Sequence, residues 1–261
     1  MVFLILMEEA GRKVMKHIAI LNGKPVKSGK SSVPDGGING NGCLGIITGC
    51  TENGLRLYIS KCDLREGAEG KNAGGAKPFG WLDIYIPDFG AYSMVTEQDM
   101  DNGELRILFT NKENTAALTA RVCKTQNAVM LESPTPGIKP VLRPFEEAKT
   151  GKTGSFEKDG CTVAYRSFTG EEYIYDTSVF AAEKQIGQGR WYIPVLSSHD
   201  TPLPEREVLA RASDMTEEKS ALLQYPTKSS HTTPEPALTM TYSSVSSRTS
   251  IPDIAECRTV P

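Results

Sequence analysis

Residues 104–110 read Glu-Leu-Arg-Ile-Leu-Phe-Thr, and this heptapeptide decides the fold class. In an extended chain its three odd-numbered apolar side chains fall on one side: Leu105, Ile107 and Phe109. Both charged side chains fall on the other side. Alternation with a period of two is typical of an antiparallel strand that buries one face. Asn102-Gly103 comes directly before the stretch, and this dipeptide is the strongest short signal for a hairpin turn.

The same kind of pattern recurs on both sides of the heptapeptide. Apolar or alternating runs of strand length occupy residues 17–21, 43–48, 55–60, 81–86, 104–110, 115–123 and 128–132. The dipeptide Asn-Gly occurs five times before residue 104, and no helical periodicity of normal length interrupts the region. We therefore interpret residues 17–132 as the main β-domain. The fold class predicted for the chain is mainly β, an antiparallel β-sandwich or jelly roll of roughly ten strands.

Composition divides the rest of the chain into five segments. Residues 1–16 form an N-terminal extension, and residues 133–160, rich in Pro, Gly and Lys, predict a linker or long loops. Residues 161–200 predict either further β-strands or a small second β-domain. Residues 201–225 predict a helical segment that begins near Pro204 and restarts near Thr216, as two short helices. Residues 226–261 are rich in Ser, Thr and Pro and predict a disordered tail.

The charge balance and the cysteines restrict the class of protein. The 261 residues carry 29 basic and 32 acidic side chains, a net charge of -3, whereas domains that coat nucleic acid are usually strongly basic. The longest apolar run near the start covers residues 2–7, far short of the ~20 residues that span a bilayer. No signal peptide is evident, so we expect the six cysteines to be free thiols, although their even number also permits disulfides. We expect a cytoplasmic or particle-associated protein with no membrane span and no nucleic-acid partner.

Residues 17–32 form a strand followed by a basic loop, HIAILNGKPVKSGKSS. A phosphate-binding loop would need a glycine where Lys24 stands. The stretch resembles the opening of flavodoxin-like flavin reductases, in which an Asn-Gly-x-Pro loop holds the FMN phosphate, and this implies a flavin or nucleotide site in the loop 23–31. Both folds require a helix after the loop, and the Pro- and Gly-rich sequence that follows predicts none. Lys24, Lys27 and Lys30 also make the loop a candidate patch for an anionic ligand.

An acidic stretch at residues 96–104 contains the candidate catalytic and metal-binding carboxylates. If extended, it places Glu97, Asp99 and Asp101 on one face, where they could hold a hard cation such as Ca²⁺. Paired carboxylates are also the catalytic groups of glycosidases. The spacing departs from the EF-hand loop and from the E-x-D-x-x-E signature of jelly-roll glycosidases. The alternative is a solvated hairpin turn at residues 101–103.

Two further groups of residues are candidates for function. His199, followed by Asp200, is a candidate general acid or base. In residues 81–86, Trp81, Asp83 and Tyr85 lie on the side opposite to the aliphatic residues, and aromatic side chains on a β-surface suit recognition of a sugar or a peptide. The alternative for the aromatic residues is a place in the core.

Three hypotheses for function follow. The first is a non-enzymatic binding or structural domain, such as a component of a viral, phage or surface assembly, which binds a protein partner or itself. It rests on the lack of a nucleophile motif, a metal-binding cluster or a cofactor loop in the sequence. The second is a carbohydrate-active β-sandwich hydrolase that uses the carboxylates of residues 97–104 on a glycan. The third is a flavodoxin-like flavin or nucleotide protein that uses the loop 23–31. Apart from Ca²⁺, no cofactor is expected under the first hypothesis.

Overall fold

The computed structural model describes residues 2–9, 12–25, 34–52, 54–68, 71–86, 91–146, 151–169 and 176–223. Within these ranges fifteen strands precede two short helices, in the order β1 (Val2–Glu9), β2 (Arg12–Asn22), β3 (Ile38–Gly40), β4 (Leu44–Thr51), β5 (Gly54–Ala68), β6 (Lys71–Tyr85), β7 (Ser93–Asp99), β8 (Glu104–Thr110), β9 (Thr115–Val122), β10 (Ala128–Glu132), β11 (Lys139–Pro144), β12 (Gly151–Lys158), β13 (Cys161–Phe168), β14 (Thr177–Gly187), β15 (Arg190–Ser197), α1 (Pro204–Asp214) and α2 (Glu217–Ala221). The fold is mainly β, as the sequence predicts. The predicted tail at 226–261 lies outside the described residues.

The strands form two antiparallel sheets. The larger sheet has ten strands in the order β1-β2-β7-β8-β9-β10-β15-β14-β13-β12. The smaller sheet has five strands in the order β11-β6-β5-β4-β3. Most neighbours are also consecutive in the chain, because hairpin turns connect antiparallel strands directly.

One apolar core joins the two sheets into a sandwich. Leu57 and Leu82 of the smaller sheet and Ile107 and Ile193 of the larger sheet belong to the same cluster of buried side chains. The alternation that predicts strand β8 is confirmed, since the three apolar side chains of its inner face are all buried. Burial of one face per sheet supplies the main driving force for this arrangement.

The two helices lie on the outer side of the larger sheet. Val208, Leu209 and Ala212 of α1 pack with apolar residues of β13, β14 and β15. Pro204 occupies the first turn, where the missing N–H costs no hydrogen bond. Thr216 caps α2, since its side-chain oxygen accepts a hydrogen bond from the Lys219 backbone N–H at 3.2 Å. The predicted C-terminal helical segment with a second start is therefore confirmed.

Several boundaries differ from those predicted. Residues 133–160, interpreted as a linker or long loops, contain β11 and β12. Residues 1–16, interpreted as an extension, contain β1 and the first part of β2. Residues 161–200 supply β13 to β15, which extend the larger sheet and share its core, rather than a second domain. The strand count exceeds roughly ten because residues 1–16 and 133–160 supply β1, β11 and β12, and because β3 and β7 form within residues 17–132.

The prolines of β11 explain why this segment pairs only on one side. Pro140 and Pro144 have no N–H to give to a second neighbour, so the strand is suited to the edge of a sheet. Between them, the backbone N–H of Leu142 donates to Oε2 of Glu183 at 2.9 Å. The carboxylate thus satisfies a donor on the edge strand that no strand can reach.

The chain does not adopt the fold that the flavodoxin-like alternative requires. That fold places a helix directly after the loop at residues 23–31, and the chain forms β3 and β4 in the stretch that follows. The described residues contain no helix before Pro204.

Candidate binding surface

The side of the smaller sheet that faces away from the core carries a row of side chains, one from each strand. Directly opposite residues point to the same face of a sheet. The strand register gives the row Ile38, Ile47, Tyr58, Trp81 and Arg143. A second row, in register beside it, contains Gly49, Arg56, Asp83 and Val141, and a third contains Tyr85 and Lys139. We call these three rows the outer face.

Arg56 and Asp83 form the polar centre of the outer face. The Arg56 guanidinium donates from Nε to Asp83 Oδ1 at 2.7 Å and from its terminal nitrogen to Oδ2 at 2.9 Å. Burial lowers the pKa of Arg56, but the hydrogen bonds and charge of Asp83 outweigh it, so the pKa is raised above its ordinary value. The pair keeps both charges in a fixed, bidentate geometry.

Trp81 is held rigidly between these charges. Its indole Nε1 donates to Asp83 Oδ2 at 3.1 Å, and the Arg56 guanidinium carbon lies 4.4 Å from its ring centroid. Phe145 meets the ring edge-on, with centroids 5.5 Å apart and planes at 87°. Because the guanidinium covers one face of the indole and Asp83 binds its N–H, Trp81 is a pre-ordered side chain of the outer face.

Glycine at position 49 makes room for the neighbouring tyrosine. A Cβ on Gly49 would lie 2.7 Å from Cε2 of Tyr58, which is too close for any side chain. The Tyr58 ring therefore lies over the β4 backbone and approaches Trp81 at a centroid distance of 6.4 Å. Tyr58, Trp81 and Arg56 form a continuous packed layer.

Large apolar side chains remain exposed around this layer. Ile38 is 58%, Tyr85 is 56% and Val141 is 41% exposed. The row of Ile38 runs across all five strands, and Val141 and Tyr85 belong to the two rows beside it, so the exposed groups are spread over one surface. Three cations stand on this surface (Arg56, Arg143 and Lys139) against one carboxylate, Asp83. The outer face is therefore apolar with a positive balance, in a chain whose net charge is negative.

The structure places the aromatic candidates together, whereas the acidic candidate Asp99 belongs to a turn. Trp81, Asp83 and Tyr85 all lie on the outer face, as the alternation of β6 predicts. Asp99 is buried and closes the β7–β8 turn: its Oδ1 accepts from the backbone N–H groups of Asp101 and Asn102 at 3.1 and 3.0 Å. Its Oδ2 accepts from Nδ2 of Asn102 at 2.8 Å. Both oxygens of Asp99 therefore have a structural role.

Of the other two acidic candidates, Asp101 contacts His17 and Glu97 lies opposite Arg106 on the neighbouring strand. Asp101 Oδ2 accepts from the His17 backbone N–H at 2.8 Å, and its Oδ1 lies 3.1 Å from His17 Nδ1. Glu97 lies on β7 opposite Arg106 of β8. Among the described residues, no three His, Cys, Asp or Glu side chains are placed to hold a metal ion.

Two of the remaining candidates, Lys24 and His199, lie within the described residues. The Lys24 ammonium lies 3.6 Å from the ring centroid of Tyr92. Lys27 and Lys30 lie outside the described residues. Nε2 of His199 lies 3.0 Å from Oγ1 of Thr177, and its backbone N–H donates to Ser197 Oγ at 3.2 Å.

The sequence patterns did not predict a buried ion cluster that lies near His199. The Lys61 ammonium lies 2.8 Å from Asp63 Oδ2 and 3.0 Å from Asp200 Oδ2. The Ser197 hydroxyl donates to Asp63 Oδ2 at 2.6 Å. Burial lowers the pKa of Lys61, but the hydrogen bonds and charges of Asp63 and Asp200 outweigh it and raise the pKa. Lys61 lies on the smaller sheet and Asp200 follows the last strand of the larger sheet, so we interpret the cluster as a clasp between the sheets.

One sequence signal marked this cluster. Lys61 follows Leu57 and Ile59 at every second position of β5, and these side chains point into the core. An apolar residue is therefore expected at position 61. A charged residue in that position is almost never fully buried unless it is paired. The partner Asp200 is 139 residues away, so no local pattern identifies it.

Comparison with known proteins adds no family: no protein-family model and no curated protein matches the chain. Among the described residues, no helix has the length and apolar character needed to cross a membrane.

Proposed function

We propose that this protein is a non-enzymatic binding domain and that the outer face docks a protein partner. The observation that carries the proposal is the row of side chains across the smaller sheet, in which exposed apolar groups surround the ordered Arg56–Asp83–Trp81 cluster. Tryptophan, tyrosine and arginine are the residues that most often dominate binding energy at protein interfaces. Apolar patches on a soluble surface commonly mark interaction sites.

The chemistry of the outer face favours a partner surface that is both apolar and acidic. Arg143 is more than half exposed although its Nε lies 3.5 Å from Asp83 Oδ2, and the exposed Lys139 lies two rows away, so two exposed cations flank Val141. Complementary charge increases the rate of association and selects against basic surfaces. The positive balance disfavours a symmetric contact of the outer face with itself, because like charges would oppose each other.

A protein partner fits the outer face better than a glycan does. Sugars bind to aromatic side chains through an open ring face, and the Arg56 guanidinium occupies one of the two faces of Trp81. The hydrolase alternative lacks support because both carboxylate oxygens of Asp99 accept hydrogen bonds within the β7–β8 turn. A role in a viral, phage or surface assembly is one form that such protein binding could take.

The experiment selects peptides from a random display library on the immobilised full chain. We expect the enriched peptides to combine Asp or Glu with apolar residues, and to lose at least tenfold in affinity to Tyr85→Ser and Arg143→Glu variants. A Trp191→Phe background leaves Trp81 as the single tryptophan, so its fluorescence reports binding at the outer face.

The matched control is Leu108→Ser. Leu108 is 43% exposed on the larger sheet, close to the exposure of Val141, so its replacement should leave peptide affinity unchanged while Val141→Ser weakens it. Equal binding to all variants would overturn the proposal. Binding that is confined to an oligosaccharide panel screened in parallel would replace it with a glycan-binding function.

A further inference from the structure

Cys43 and Cys62 face each other across two neighbouring strands. Leu44 of β4 is in register with Lys61 of β5, which places Cys43 directly opposite Cys62. The Cys62 backbone N–H donates to the Cys43 carbonyl at 2.9 Å, whereas the Cys43 N–H donates to Oδ1 of Asn41, so one of the two bonds of a hydrogen-bonded antiparallel pair is present. Leu44 and Lys61 point into the core, and the two cysteine side chains therefore point outward on the same face.

We propose that Cys43 and Cys62 form a dithiol site that reacts with low-molecular-weight disulfides and closes a cross-strand disulfide. Residues paired in this way have Cα atoms about 5.5 Å apart, which lies within the range that a disulfide requires. Both residues are exposed, and their side chains lie on the same face of neighbouring strands. This inference is independent of the proposed binding function.

The backbone on the Cys43 side is fixed by a neighbouring asparagine. Oδ1 of Asn41 accepts from the Cys43 and Leu44 backbone N–H groups at 3.0 and 2.9 Å. Its Nδ2 donates to the carbonyl of Cys123 at 2.9 Å, which ties this turn to the larger sheet. Gly42 adopts a φ of +93°, which the tight turn before Cys43 requires.

The backbone on the Cys62 side is fixed by the ion cluster of Lys61, Asp63 and Asp200. Cys62 lies between Lys61 and Asp63, which are ion-paired with each other, and Lys61 also pairs with Asp200. Because both strands are anchored, the two cysteines are held opposite each other. Pre-ordering of reacting groups is the main source of fast intramolecular reactions.

The reaction proceeds by two exchange steps. The Cys43 thiolate attacks one sulfur of the small disulfide and releases a small thiolate, which leaves a mixed disulfide on Cys43. The Cys62 thiolate then attacks the Cys43 sulfur and displaces the second small thiolate. One small disulfide is reduced to two small thiols, which take up the two protons of the protein thiols, and the protein gains one S–S bond.

Local charge sets the order of these steps. Partial burial and the nearby Asp63 carboxylate raise the pKa of Cys62, an effect that Lys61 only partly offsets. The thiolate is the attacking form, so Cys62 is the slower nucleophile toward a reagent in solution. Once the mixed disulfide is in place, the proximity of Cys62 compensates for its low thiolate fraction.

The other described cysteines are less suited to this chemistry. Cys123 and Cys161 are buried, and burial raises the pKa of Cys123 to about 11. The Cys50 thiol donates to the Pro25 carbonyl at 3.4 Å. Cys257 lies outside the described residues.

The test treats the reduced full chain with glutathione disulfide and measures the products by mass spectrometry. We expect wild type and Cys50→Ser to lose two hydrogen atoms with no added glutathione. Trypsin cuts after Arg56 and Lys61, so the new bond should join the peptide that contains Cys43 to the peptide of residues 62–65. In the Cys50→Ser background this linkage identifies both partners without ambiguity.

Single variants distinguish a pair from two independent thiols. Cys43→Ser and Cys62→Ser are expected to keep the wild-type circular dichroism spectrum and to stop at a mixed disulfide with one bound glutathione. Wild-type protein that carries glutathione on both cysteines, or a disulfide that survives in either variant, would overturn the proposal. The same is true if Cys43 and Cys62 remain reduced while another cysteine reacts.

Discussion

Lys61 and Asp200 form an ion pair that connects the two sheets of the sandwich. The Lys61 ammonium of the smaller sheet lies 3.0 Å from Oδ2 of Asp200, which follows the last strand of the larger sheet, and the lysine side chain is only 1% exposed. Nδ2 of Asn127 donates to the other oxygen of Asp200 at 3.1 Å. A buried charge with such partners is costly to leave unpaired, which makes this contact a sensitive point of the fold.

Removal of the lysine charge should therefore destabilise the protein strongly. We expect Lys61→Met to lower the free energy of unfolding by about 3 kcal/mol, because Asp63 and Asp200 then share a site without a counter-charge. Chemical denaturation provides the measurement. Adding Asp200→Asn to Lys61→Met should recover part of the loss. The exposed pair of Lys158 with Glu205 is the control, and Lys158→Met should leave the denaturation midpoint unchanged. Equal effects of both lysine variants would contradict this assignment.

Glu183 should make stability depend on pH. Burial raises its pKa from 4.5 to about 7, more than the hydrogen bond from the Leu142 N–H lowers it. The folded state therefore holds a proton that the unfolded state has released, and stability falls as the pH rises from 4.5 to about 7. Glu183→Gln should remove this dependence and be the more stable protein above pH 7, by on the order of 2 kcal/mol.

The measurement for Glu183 is urea denaturation of both proteins across this pH range. The exposed Glu113 supplies the control, since Glu113→Gln should follow the wild-type profile. A constant difference between wild type and Glu183→Gln at all pH values would show that the carboxyl group does not titrate in this window.

Asp99 should be a structural residue of the β7–β8 turn. Asp99→Ala leaves the backbone N–H groups of Asp101 and Asn102 without their acceptor, and we expect a loss of about 1–3 kcal/mol in the free energy of unfolding. Glu97→Gln should change this free energy by less than about 0.5 kcal/mol. Thermal melts of both variants check the prediction. Loss of a glycosidase activity in Glu97→Gln, with an unchanged melt, would favour the hydrolase hypothesis instead.

Arg56 should order the outer face through its planar guanidinium. Lysine cannot donate two parallel hydrogen bonds to Asp83 or stack on Trp81, so Arg56→Lys should cost about 1–2 kcal/mol and shift the Trp81 fluorescence in a Trp191→Phe background. Arg211 makes a single hydrogen bond to Glu207 on α1, and Arg211→Lys serves as the matched control with little expected change. An unchanged Trp81 spectrum in Arg56→Lys would mean that the stacking is not maintained in solution.

The amino-acid sequence by itself determined the fold class and the faces of individual strands. Side chains alternate across a strand with a period of two. The alternation therefore assigns Leu105 to the core side of β8 and Trp81 to the side of β6 that faces away from the core. The helix that begins at Pro204 is also local information. Such signals need only a few consecutive residues.

The tertiary structure alone decided which residues meet. The pairing of Lys61 with Asp200 joins positions 139 residues apart, and the row from Ile38 to Arg143 depends on the register of five strands. The alternation of apolar residues in the edge strand β11 is too weak for a prediction. The strand forms because it pairs with β6 and because the Leu142 N–H donates a hydrogen bond to Glu183. These contacts arise from long-range packing, whose free energy is shared over both sheets and is written in no single stretch of the chain.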